Sequence, residues 1–142
     1  MSMDQNCIFC KIIQGEIPSA KVYEDEEIYA FLDISQVTKG HTLIIPKKHV
    51  ENIYETNEEI ASSLFARVPK IANALKKAYQ PAGINILNNN GKAAGQTVFH
   101  IHIHLIPRYD ESDGYDAKWV TNNEAYTPED LAEIAQKIAA EL

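Results

Sequence analysis

The chain has 142 residues, 45% of them hydrophobic, and a formal net charge of −7. That length and composition fit one globular domain spanning residues 1–142, with enough core to fold unaided. The acidic balance excludes a broad basic face for nucleic acid, no apolar run approaches the ~18 residues of a membrane span, and Met1–Asn6 lacks the blocks of a signal peptide, so a cytoplasmic protein with neither nucleic-acid nor membrane partners is expected.

The first feature along the chain is Cys7-Ile8-Phe9-Cys10. Such a pair is a compact half-site for tetrahedral zinc and needs two further ligands. His49 and His100 are the suppliers to expect, because His41 lies beyond a Gly turn at the other end of its strand. A free reduced pair and a redox motif are the alternatives, and no βαβ pattern surrounds the cysteines to favour the redox one. Val22-Tyr23, Ile28 to Leu32, Thr42 to Ile45, Ile84 to Leu87 and Thr97 to Ile106 are rich in β-branched and aromatic residues. Turn formers separate them, which predicts about five strands joined mainly as hairpins in an antiparallel sheet.

Asp33 follows the second of these strands. It reads first as a turn former, with an alternative role as acceptor for the two hydroxyls of a ribose. A long helix is expected to open at Thr56, with Glu59 three residues on as in a capping box. Its apolar stripe runs through Ile60, Leu64, Val68, Ile71, Leu75 and Ala78, and Pro69 within it predicts a kink. Thr127 as N-cap, Pro128 and Asp130 open a second helix with the stripe Leu131, Ile134, Ile138 and Leu142. Tyr109 to Tyr126 reads as a long irregular connection.

The most informative stretch is His100-Ile101-His102-Ile103-His104. On a strand, alternate side chains share a face, which lines up three imidazoles roughly 6.6–7 Å apart. Phe99, Ile101, Ile103 and Leu105 then face a core. One histidine would be read as a surface or core residue, but three in strict alternation form a poor way to make a soluble face and a good way to make a site. The loop before them, Asn88 to Thr97, is amide-rich and punctuated by Gly91 and Gly95. Its backbone N–H groups, Gln96 and Thr97 can address phosphate oxygens, although alone it would pass for an ordinary loop.

Together these segments resemble the histidine-triad (HIT) family, specifically its Hint-like branch. The resemblance is carried by Ile8-Phe9-Cys10-Lys11-Ile12-Ile13, Glu16-Ile17-Pro18, Ala30-Phe31-Leu32-Asp33-Ile34, His41-Thr42-Leu43-Ile44-Ile45-Pro46-Lys47-Lys48-His49 and Gly95-Gln96-Thr97-Val98-Phe99 with the histidine row. It covers residues 7–106, leaving 107–142 as a C-terminal loop and helix. It implies an α+β fold of about five antiparallel strands and two main helices, paired as a homodimer. It implies His102 as nucleophile. A purine nucleoside monophosphate would bind with its ribose near Asp33 and Ile34 and its phosphate near Asn89, Gly95, Gln96, Thr97 and His104. Phe9, Ile12, Ile17 and Phe31 would shape the base pocket. Members that share the Cys pair imply structural zinc on Cys7, Cys10, His49 and His100, and no organic cofactor.

Three positions depart from the best-known members: Thr97 where Ser is frequent, Leu32 where some have His, and the whole segment after Pro107. The expected reaction is hydrolysis of a nucleoside phosphoramidate or related nucleotidyl bond, by attack of neutral His102 and then of water. His104, expected to be protonated, helps the amine leave. Alternatives are a dinucleoside polyphosphate hydrolase and a nucleotide-binding scaffold whose catalysis is incidental.

Overall fold

Hydrophobic alternation along the middle of the chain builds one sheet with two covered faces. The structure, a computed structural model, describes residues 3–142. Its strands are β1 (Lys21–Glu24), β2 (Ile28–Leu32), β3 (Thr42–Pro46), β4 (Gly83–Leu87) and β5 (Ile103–Arg108). They form a five-stranded sheet in the order β1-β2-β3-β5-β4, and every neighbouring pair is antiparallel. The helices are α1 (Ile8–Ile13), α2 (Glu58–Ala66), α3 (Val68–Tyr79) and α4 (Pro128–Ala139).

On one face Ile28, Ala30, Ile44, Ile103 and Leu105 pack against Leu64, Val68, Ile71 and Leu75 of α2 and α3. On the other, Tyr29, Phe31, Leu43 and Ile45 pack against Phe9, Cys10 and Ile12 of α1. The two sets alternate along β2 and β3, as period-2 side-chain direction requires. This second face carries the site.

Several expectations need correction. Residues 58–79 form two helices, interrupted at Arg67, where one kinked helix was expected. Pro69 has no N–H for the carbonyl of Phe65 and sits in the first turn of α3, where that loss costs little. The cap of α2 is Asn57, whose side chain accepts from the N–H of Ile60; the Thr56 hydroxyl instead donates to the carbonyl of Asn52. Arg67 turns its guanidinium back to Asp25 and Glu27 in the β1–β2 turn. α1 was not foreseen, being too short for helical periodicity to register.

The last strand starts at Ile103, not at Thr97. Ile101, Ile103 and Leu105 are buried as expected, but Phe99 is 43% exposed because it precedes the paired region. α4 forms with Thr127 and Asp130 in a reciprocal capping box, yet its stripe of Leu131, Ile134, Ile138 and Leu142 is exposed. The chain between β5 and α4 is irregular, as read from the sequence. Among the described residues no helix is long and apolar enough to cross a membrane.

Candidate active site and metal centre

His104 lies opposite Leu43 in the β3–β5 register and so shares the face covered by α1. Its neighbours His102 and His100 precede the paired strand, and each is held by a specific contact instead of the ladder. The Nδ1 of His102 is 2.8 Å from the carbonyl oxygen of His100. A carbonyl can only accept, so Nδ1 carries the hydrogen and Nε2 keeps its lone pair. The ring is nearly buried. Phe9 packs edge-on against it with centroids 5.1 Å apart, and the His104 ring lies at 5.0 Å. Burial lowers the pKa of His102 below the ordinary imidazole value, against the opposing effects of the His100 carbonyl and the Asp33 charge. The ring is therefore neutral near pH 7, as a nitrogen nucleophile requires.

His41, passed over in the sequence because of its position beyond Gly40, belongs to the site. The Val37 N–H donates to its Nδ1 at 3.3 Å. Nε2 therefore carries the hydrogen and donates to Nδ1 of His104 at 2.9 Å. Nε2 of His104 is thus left as the protonated nitrogen of that neutral ring. Asp33 Oδ2 stands 3.7 Å from the same His41 nitrogen. Its Oδ1 accepts from the N–H of Ser35, which is the turn role read from the sequence. Burial, and secondarily the charges of His102 and His41, push His104 down to about 4. His104 is thus not the protonated acid expected; before substrate binds it is a neutral hydrogen-bond donor. What could have flagged His41 is a buried polar residue beside a strand start, a signal that sequence alone does not supply.

A cavity of about 390 Å³ opens in front of these rings. His102, His104, Thr97 and Asp33 supply its polar wall, and Phe9, Ile12, Ile17 and Phe31 its apolar wall. Ile34, fully exposed, sits at the mouth. Nine of the residues selected from the sequence thus line one pocket. Asn89 and Gly95 do not line it; they stand side by side in the preceding loop, where Gly95 has φ +94°, a conformation that favours glycine.

Gln96 also departs from expectation. It is 2% exposed, and its side chain is consumed within the protein. Its amide donates to the carbonyls of Glu51 and Val98, and its oxygen accepts from the N–H of Gly91. The residue shapes the loop and has no donor left for a phosphate.

The four residues chosen as metal ligands converge beneath α1. Nε2 of His100 donates to the carbonyl of Pro46 at 2.8 Å, which leaves the Nδ1 lone pair facing the cluster. That Nδ1 lies 3.4 Å from Cys7 Sγ, 3.6 Å from Cys10 Sγ and 3.2 Å from Nδ1 of His49. Cys10 Sγ is 3.4 Å from Nδ1 of His49. A zinc tetrahedron with ordinary Zn–S and Zn–N bonds has N···S edges of about 3.5 Å and N···N edges of about 3.3 Å. Both cysteines are free and buried, so the donor set and its spacing fit zinc.

The family model of the HIT domain matches residues 14–111. The protein named Protein hit of Bacillus subtilis is 60% identical over 142 residues, covering 100% of this chain and 98% of its own length. An adenosine 5′-monophosphoramidase of Candida albicans is 39% identical over 146 residues, covering 100% of this chain and 95% of its own. The crystal structure of a HIT family protein from Bacillus anthracis superposes with a TM-score of 0.94 at 60% identity, over 97% of this chain and 98% of that one. A zinc-bound histidine triad family protein from Mycobacterium smegmatis superposes with a TM-score of 0.74 at 38% identity, over 95% of this chain and 97% of that one.

Proposed function

The chain belongs to the HIT domain family, and from that premise we propose that it hydrolyses a purine nucleoside phosphoramidate, or a related nucleotidyl bond, through a covalent nucleotidyl-His102 intermediate. The observation that carries this reading is the Nδ1 bond of His102 to the His100 carbonyl. It fixes the tautomer with Nε2 unprotonated in a ring that lines the pocket. The Candida albicans relative, named as an adenosine 5′-monophosphoramidase, supports the choice of bond.

In the first step Nε2 of His102 attacks the α-phosphorus, the P–N bond breaks and the amine leaves with a proton. In the second, water attacks the phosphorus and the P–Nε2 bond breaks, releasing the nucleoside monophosphate and neutral His102; the proton that the water loses restores the one given to the amine. Splitting the displacement this way is nucleophilic catalysis. The Thr97 hydroxyl and the Nε2–H of His104, both residues of the pocket lining, would hydrogen-bond the non-bridging oxygens. A bound phosphate sets negative charge beside the His41–His104 pair and raises both pKa values. Asp33 adds to that effect. The pair then becomes able to pass a proton to the leaving amine. The base would lie between Phe9, Ile12, Ile17 and Phe31, and the ribose by Asp33 and Ile34.

Cys7, Cys10, His49 and His100 would hold zinc as a structural ion. When bound, it would tie α1, and with it one wall of the base pocket, to the segment that leads into β5 and carries His100 and His102. The zinc-bound Mycobacterium smegmatis relative supports this. A homodimer is proposed on family membership. The exposed apolar side chains Phe65, Tyr79 and Ile86, on α2, α3 and the edge strand β4, offer it a surface, and light scattering measures it.

His102→Ala tests the central assignment. Incubated with adenosine 5′-phosphoramidate, it should lose turnover by at least about a thousandfold, and no nucleotidyl adduct should appear on the intact protein by mass spectrometry. Turnover near that of the parent removes the nucleophile assignment.

A further inference from the structure

His102 occupies a position where the sheet no longer holds it. Pairing of β5 with β4 stops at Leu87 opposite His104, and pairing with β3 stops at Ile44 opposite Ile103. The main-chain carbonyl of His102 lies just outside both ladders. It is taken by a side chain: Asn88 Nδ2 donates to it at 2.9 Å.

Which way that amide points is fixed by a chain of bonds. The N–H of Ile53 donates to Asn90 Oδ1 at 2.7 Å. The other end of the Asn90 amide is therefore Nδ2, and it donates to Asn88 Oδ1 at 2.6 Å. Asn88 must then present Nδ2 to the carbonyl of His102. The polarity begins at a backbone donor and ends at a backbone acceptor, so neither amide can flip without leaving two groups unpaired. The His102 residue is gripped twice, its ring by the His100 carbonyl and its main chain by Asn88.

We propose that Asn88 is a positioning residue for nucleotidyl transfer. It touches neither substrate nor the reacting atoms. It sets the peptide plane from which the His102 ring projects, and it couples that plane through Asn90 to the segment at Ile53. This rests on the reading of His102 as nucleophile. In-line attack is sensitive to displacements below an ångström, so the loss should fall on the chemical step and spare ground-state binding.

The test compares parent, Asn88→Ala and the near-isosteric Asn88→Asp, which keeps the size but cannot donate when ionised. The readouts are the single-turnover rate of His102 nucleotidylation from adenosine 5′-phosphoramidate, the Kd for AMP and the melting temperature. Both variants should slow nucleotidylation by about tenfold or more, with AMP affinity held within about twofold. A parent-like rate in either folded variant overturns the proposal. So does a rate loss matched by an equal loss of AMP affinity, which would mark Asn88 as a general loop staple. His102→Ala run in parallel separates the two readings. If it retains turnover, the nucleophile assignment fails and this proposal with it; if it is inactive while Asn88→Ala is parent-like, only the positioning role fails.

Discussion

Removing Cys10, one of the four proposed zinc ligands, should both empty the proposed metal centre and loosen the active site. Cys10 is 1% exposed and His100 0% exposed, and their donor atoms stand 3.6 Å apart. In Cys10→Ser three donors remain around a buried centre, and a serine hydroxyl is a poor zinc ligand. An ion present at a thousand times its dissociation constant adds about 4.1 kcal/mol to the folded state. For a chain near this length that corresponds to a fall in melting temperature of roughly 8–16 °C when it is lost. The effect should reach catalysis, because the His100 side chain proposed to bind the ion belongs to the residue whose carbonyl holds His102. Metal uptake should also weaken as pH falls. Burial pushes the Cys10 thiol up to about 11, and the ion must displace that proton. The assays are zinc per chain by atomic emission and melting temperature with and without chelator. Parent protein should hold one zinc and Cys10→Ser almost none. Equal, low zinc in both proteins, or a melting temperature indifferent to chelator, would refute the four-ligand site.

His41→Ala should lower kcat by about a hundredfold while KM changes little, because in the proposed mechanism the His41–His104 pair passes a proton and does not bind substrate; steady-state kinetics decide it, and an unchanged kcat removes His41 from the site. Gln96→Ala strips partners from the carbonyls of Glu51 and Val98 and from the N–H of Gly91, and should cost about 2–3 kcal/mol in urea unfolding. A loss confined to kcat at parental stability would return Gln96 to the catalytic group. The folded pKa of His104 lies below its ordinary value, at about 4, so its neutral form is what the fold favours. The stability this contributes is complete above about pH 6.5 and is lost as pH falls towards 4. His104→Asn should therefore flatten the decline in unfolding free energy between pH 7 and 4.5, relative to the parent; parallel curves would contradict the burial argument.

Much of the site was legible because its chemistry is local. The His100–His104 alternation, the Cys7/Cys10 spacing and the motif around Asp33 each occupy one short segment. Their residue types announce their uses, since imidazole and thiolate are uncommon in ordinary loops. The missing parts depend on partners distant in sequence. Gln96 reads as a phosphate donor until Glu51 is seen to take its amide. His41 is only set aside as a metal ligand until β3 is laid against β5 and His104 comes within hydrogen-bond distance. Thr56 reads as the cap, and only the backbone geometry shows Asn57 in that place.

By itself the sequence determined the alternating strands and the antiparallel sheet and brought forward the histidine row and the four candidate donors for a metal, because side-chain periodicity and residue chemistry are properties of neighbours along the chain. The tertiary structure alone decided the neutrality of His104 and the part played by His41 and Asn88. Those properties come from burial and from single hydrogen bonds between segments as far apart as 63 residues, His41 to His104, and no local pattern encodes which donor will meet which acceptor.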